Sequence, residues 1–322
     1  MSKLLTIKRR IHSIKSLAKV TRAMELVTHT KIGRARKGVT GAREYHKSFN
    51  RLMTAIASVY DEDETGTQYF PPPIDTTLPA GFEGLAAKDV EKGTHEVIIF
   101  LSQKGFCGGF NDRLLFHLAA ELPKLGKARL TVVGRLAPKW NLIMHTIPGM
   151  DTNPAAIIAA ADKTWQNDLT ILTNVLIARI RRMRHLHDTS ARIYLAFNQF
   201  QSILEQVPTI EQMWPLVIKK EEKSAYRNAI VEPSQETILE QALIPWVKAS
   251  LTRAWWENTA GENYARLISM KSANENAGII IDGLTLQYNK TRQLVITQEL
   301  SEITSAFNVL NILKGKREQS EV

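Results

Sequence analysis

The chain has 322 residues, 44% of them apolar, enough for one large domain or two smaller ones with a buried core. A single cysteine, Cys107, excludes an intrachain disulfide and a cysteine-based zinc site, and no apolar run is long enough for a membrane-spanning helix. The formal charge of +10 is unevenly placed, because residues 1–50 hold thirteen Lys and Arg against Glu25 and Glu44, a balance of +11 that leaves about −1 for the rest.

The opening Met-Ser-Lys-Leu-Leu-Thr-Ile-Lys-Arg-Arg is charged too early to be a signal peptide. No proline occurs before Pro71, so residues 3–59 are predicted as helix. Leu4, Ile7, Ile11, Ile14 and Ala18 form one stripe, and Leu17, Val20, Met24 and Val27 are expected to take it over as the phase drifts. Gly33, Gly38 and Gly41 predict a bend. Such a cationic rod should seek an anionic surface, whether nucleic acid, anionic lipid or acidic protein; the plainer alternative is a solvated face.

Asp61 to Pro73 is acidic, then proline-rich, and is expected to be an exposed connection; residues 74–94 show no periodicity. Glu96–Leu101, Arg129–Gly134 and Arg192–Phe197 read as strands, with helices over Asp112–Leu122, stopped by Pro123, and Asp162–Leu186. Trp214–Lys219 reads as an edge strand, since Pro215 suits an edge. Strands alternating with helices predict an α/β, Rossmann-like domain with right-handed crossovers.

After Pro245 the chain is free of proline, and a second long helix is predicted from Trp246. Leu267, Met270, Asn274, Ala277, Ile281, Leu284 and Tyr288 make a heptad seam; Ile296, Leu300, Ile303, Phe307 and Leu310 repeat it one residue out of phase. The predicted architecture is a long antiparallel coiled coil of terminal helices plus a central α/β domain. Its parts are residues 1–60 (N-terminal coil helix), 61–94 (connection), 95–227 (α/β domain) and 228–322 (C-terminal coil helix).

Chemistry is sparse. Gly105-Phe-Cys-Gly-Gly-Phe110 sits between a strand and a helix, where α/β folds bind phosphate, yet it matches neither glycine-rich nucleotide fingerprint. A structural turn built by Gly105, Cys107, Gly108 and Gly109 is the better reading, with Cys107 a buried thiol. His185 and His187, two apart on a helix, make a poor metal pair. No catalytic residues, metal site or cofactor are expected.

Three separated stretches carry a resemblance. Ile11 to Val27, the turn Gly105-Phe-Cys-Gly-Gly-Phe-Asn111, and Ala265 to Ala277 continuing through Leu284–Lys290, Arg292-Gln293 and Ile296–Ile303 resemble the γ subunit of rotary F-type ATP synthases. Departures are Ser102-Gln103-Lys104 before the glycines, Thr28-His29-Thr30, Thr304 to Phe307, and extra length near 61–94.

The resemblance implies a central rotor shaft. Its terminal helices would stand inside a hexamer of α and β subunits, with the α/β domain against the ε subunit and the membrane c-ring, and with no membrane span of its own. It would lie peripherally at the cytoplasmic face of the inner membrane. By match to the family motifs, Arg22, Met24 and Lys31 would meet an acidic β-subunit loop, with Arg266, Gln293, Thr297, Glu299 and Glu302 on the facing helix. The shaft would carry no active site, cofactor or nucleic acid. Competing readings are a basic coiled-coil nucleic-acid binder and a nucleotide-using α/β enzyme built on the glycine loop.

Overall fold

The computed structural model describes residues 2–60, 68–69, 93–135, 156–158, 165–217, 232 and 234–318. Among these the chain runs α1 (Ser2–Tyr60), β1 (Gln68–Tyr69), β2 (His95–Phe100), α2 (Phe110–Leu125), β3 (Ala128–Val133), β4 (Ala156–Ile158), α3 (Trp165–His185), β5 (Ile193–Phe200), β6 (Gln206–Trp214), β7 (Leu216–Val217) and α4 (Gln235–Glu318). It forms two compact units, Thr28–Leu267 and Met1–Val27 with Ile268–Val322.

The larger unit is built on a five-stranded sheet of order β4-β3-β2-β5-β6. β4, β3, β2 and β5 are parallel, and β6 is antiparallel on β5. Alternate residues of β2 serve opposite faces: Ile98 and Phe100 join the core under α3, whereas Val97 and Ile99 join Leu114, Leu115 and Leu118 of α2. Both faces are buried, which is why the strand reads as an unbroken apolar run.

Three expectations here need correcting. α2 runs through Pro123 to Leu125; the proline removes one hydrogen bond near the helix end, and packing of Leu122 and Leu125 on the core holds the last turn. The antiparallel edge strand is β6, with Pro208 inside it opposite Asn198, while Leu216–Val217 beyond Pro215 pairs instead with Gln68–Tyr69. That places a short strand within the expected 61–73 connection. Residues 74–92 lie outside those described.

α4 begins earlier than its proline pattern suggests. Ser234 caps it, accepting from the Thr237 amide at 3.2 Å. Pro245 sits inside the helix, flanked by buried Leu239, Leu243, Trp246 and Val247, and this burial outweighs the ~3 kcal/mol cost of an internal proline.

Within the same unit α1 and α4 are antiparallel. Trp246 Nε1 donates to Asn50 Oδ1 at 2.7 Å, Arg43 Nε donates to Glu257 Oε1 at 2.5 Å, and Ala35 and Val39 pack with Ala260. α1 stays helical through its three glycines. Gly38 has a packing reason: a Cβ there would lie 2.4 Å from the Trp256 ring.

In the smaller unit, burial on α1 follows Leu4, Ile7, Ile11, Ile14, Ala18 and Thr21, and on α4 it follows Met270, Asn274, Ala277, Ile281, Leu284, Tyr288, Thr291 and Val295. Steps of three and four without a slip make this a heptad coiled coil. The expected drift does not occur: of the four residues expected to take over the stripe, Met24 is half-buried but Leu17, Val20 and Val27 are 54%, 55% and 57% exposed, and Thr21 holds the seam with its hydroxyl donating to Ala18 O at 3.0 Å. Nor does the seam resume out of phase. Ile296, Leu300, Ile303 and Phe307 are exposed, lying beyond Val295, the last residue of the α4 seam among the described residues. The Leu310 side chain lies outside the described residues.

Candidate functional site: the glycine turn and the partner-facing helices

In a doubly wound sheet the ligand crevice opens at the carboxyl ends of the strands, where the strand order reverses. Here that point lies between β2 and β5, and the glycine turn follows β2. The crevice is filled by α4. Asn258 Nδ2 donates to Leu101 O at 3.2 Å, and Asn258 Oδ1 accepts from the Asn198 amide at 3.4 Å, so one side chain bridges both strand ends.

One turn further along, the carboxylate of Glu262 accepts the amides of Gln103 at 2.7 Å and Lys104 at 3.0 Å. Arg266 also donates to Glu262, and its guanidinium reaches Gly105 O at 3.0 Å and Lys104 O at 2.9 Å. Burial pushes the Glu262 pKa up, opposed by Arg266 and the two amides. The two amides that would cradle a phosphate are thus already bound to the protein's own anion. This contradicts the nucleotide-using reading of the loop.

The turn itself works as a structural element. Gly108 has φ 58°, and Phe106 also sits in the left-handed region at φ 62°. Gly105 and Gly109 do not, so Gly108 alone of the three glycines uses positive φ. Gly109 precedes the first residue of α2. Cys107 is buried, its Sγ lies 3.7 Å from Lys104 O, and burial followed by the Glu262 charge raises its pKa, so the thiol stays protonated.

The motif-matched contact residues fall into two groups. Arg22 and Gln293 are exposed on the coiled coil, Met24 is half-buried there, and Thr297, Glu299 and Glu302 are exposed on α4 beyond the paired seam. Arg22 pairs with Glu25 at 2.9 Å, and Glu302 accepts from Gln298 at 2.9 Å. Lys31 and Arg266 belong to the larger unit. Arg266, expected on a partner-facing surface, is 4% exposed and holds the glycine turn instead. Lys31 is half-buried and lines a cavity with Arg34 and Lys104.

Several working residues went unseen in the sequence: Asn258, Glu262, and the pair Arg43–Glu257, whose Glu257 also accepts the Phe200 amide at 2.9 Å. A signal existed. Glu257, Asn258, Glu262 and Asn263 are polar groups inside a stretch where the helix is buried all round, and such groups need partners.

Comparison with known proteins then fixes the family. The family model described as ATP synthase matches residues 3–310. The ATP synthase gamma chain of Dinoroseobacter shibae is 31% identical, the match covering 96% of this chain and 100% of that protein. The gamma chain of Nitrosococcus oceani is 32% identical, over 92% and 96%. The fold is that of a chain in the Euglena gracilis mitochondrial ATP synthase (OSCP/F1/c-ring), with TM-score 0.60, 15% identity, and 97% and 96% of the two chains covered. A Tetrahymena thermophila central-stalk chain gives TM-score 0.52 at 16% identity, over 79% and 99%. With its sequence matched almost end to end, this chain belongs to the ATP synthase gamma chain family.

Proposed function

We infer that this chain is the central rotor shaft of an F-type ATP synthase, coupling ion flow through the membrane ring to ATP synthesis or hydrolysis on the α/β hexamer by rotation. The observation that carries this is the full-length match to gamma chains, joined to a nucleotide crevice filled by the chain's own helix. The protein supplies shape and stiffness, and the chemistry belongs to the hexamer. Among the described residues no helix is long and apolar enough to cross a membrane. The chain acts as a peripheral subunit of the complex, on the cytoplasmic face of the membrane, with α, β, ε and the c-ring as partners.

The exposed side chains of the coil supply the contacts. Arg22 and Met24 on α1, and Gln293, Thr297, Glu299 and Glu302 on α4, meet the β subunits in this reading. Around them stand Leu17, Val20, Leu26, Val27, Leu300 and Phe307, all more than half exposed, an amount of bare apolar surface that calls for a covering partner. The basic N-terminal half of α1 draws on the same logic toward acidic protein, not nucleic acid. The test is assembly: mixed with the α and β subunits, the chain should co-elute at one copy per hexamer and raise ATPase activity. Separate elution with unchanged activity would overturn the reading.

A further inference from the structure

Phe200, the last residue of β5, lies where the two long helices meet in the larger unit. Its ring stacks on Tyr264 of α4 at 4.9 Å and 10°, and packs against Ala35 and Val39 of α1 and Ala260 of α4. Its backbone is held from both helices. The Phe200 amide donates to Glu257 Oε2 on α4 at 2.9 Å, and the Phe200 carbonyl accepts from Arg43 Nη2 on α1 at 2.6 Å. Arg43 and Glu257 are joined to each other by two bonds, Nε to Oε1 at 2.5 Å and Nη2 to Oε2 at 2.8 Å. α1, α4 and the sheet are thus tied around one residue. The Glu257 side chain is 1% exposed, so the pair is shielded from salt, and its forked geometry fixes direction as well as distance.

We propose that Arg43 and Glu257 are positioning residues for rotation, a joint that makes α1, α4 and the sheet turn as one body. On the rotor reading, on which this rests, torque on a pair of helices tends to slide one along the other. Apolar packing is non-directional and opposes separation more than sliding, whereas a forked ion pair opposes both. α4 already grips the sheet through Asn258 and Glu262. Arg43 gives α1 a grip on the same sheet, at the end of β5. Both helices run unbroken through the joint, α1 from Ser2 to Tyr60 and α4 from Gln235 to Glu318, so the joint stands in the chain path from the coil residues to the sheet.

The experiment uses the assembled complex with the α and β subunits fixed to a surface. A bead is carried by a cysteine at Phe116, which is 55% exposed on α2, while buried Cys107 stays unlabelled. The readout is the spread of the bead angle during the pauses between steps, which reports torsional stiffness and not folding stability. Arg43→Met combined with Glu257→Gln removes the ion pair without stranding a buried charge. Its angular variance should rise about twofold at the parent's ATPase rate, since charge-assisted hydrogen bonds are roughly twice as strong as the neutral one that Glu257→Gln keeps on the Phe200 amide. Arg43→Lys keeps the charge but loses the fork, and should give a smaller rise. Ile99→Val, a loss of one methylene in the core on the α2 face of the sheet, controls for lowered stability and should keep the parent's variance. A double variant as stiff as the parent, or an equal rise in Ile99→Val, would overturn the proposal while leaving the rotor reading intact. A parent bead that never turns would overturn the rotor reading, and the joint with it.

Discussion

The carboxylate of Glu262 holds the backbone amide of Gln103 at 2.7 Å, at the carboxyl end of the strand where this sheet order would place a ligand's phosphate. A helix of the shaft has thus taken the ligand's place, and the α/β sheet is locked to it. Glu262→Ala would leave Arg266 buried and unpaired, with two amides unmet. The expected loss is roughly 3–5 kcal/mol in urea unfolding, and the Glu262→Ala/Arg266→Ala pair should lose less than the two single changes summed. No nucleotide binding should appear in either variant, as followed by calorimetry with ATP.

The three glycines of α1 separate two physical effects. Gly33 and Gly41 have open space where a Cβ would go, whereas at Gly38 it would meet the Trp256 ring at 2.4 Å. Gly33→Ala and Gly41→Ala should each raise stability by up to ~1 kcal/mol through helix propensity. Gly38→Ala should lower it by roughly 1–3 kcal/mol, since the rigid indole must move. Thermal melts of the three variants, run side by side, give the order.

His46 gives the protein a pH dependence. Burial, then the nearby Arg253, lowers its pKa to about 3. The charged groups around it are Arg43 on its own helix, Arg253 on α4 and Glu211 on β6, which pairs with Arg253. The native state keeps His46 neutral while the unfolded chain protonates near pH 6.5. The unfolded state therefore binds more protons between pH 6.5 and about 3, and stability falls as pH drops through that window. Between pH 7 and 5 the histidine should account for at most about 2 kcal/mol of loss, and His46→Gln should lose that much less.

How legible was this in the sequence? Strands β2, β3 and β5 and helix α3 are readable because each is an apolar run or a strong 3.6 period, whereas β4, only three residues long, carries no such signal; Met270 to Tyr288 gives the heptad directly. The α1 seam is hidden because apolar residue type does not report burial there. Thr21 is 6% exposed and Leu17 is 54% exposed, since helical period and an internal hydrogen bond decide position before hydrophobicity does. β6 was missed because Pro208 and its polar residues disguise an edge strand. The glycine turn was found by its pattern, but its partner was not: Glu262 is 159 residues from Gln103, and no local spacing encodes that contact.

The exposed apolar residues of the coil should separate stability from assembly. Leu300→Gln and Phe307→Gln alter side chains 59% and 62% exposed, so the isolated chain should change by no more than about 0.5 kcal/mol. In the assembled complex each should loosen the hold of the hexamer on the chain by about tenfold or more, as expected from losing a buried apolar contact. Chemical denaturation and subunit-exchange rates measure the two effects independently.

Rotation is the claim on which the rest depends, and it is directly visible. A cysteine introduced at Ile203, which is 54% exposed, can carry a bead while buried Cys107 stays unlabelled. With the α and β subunits fixed to a surface and ATP supplied, the bead should turn in one direction, in three steps per revolution. A complex that hydrolyses ATP at full rate while the bead stays still would contradict the account.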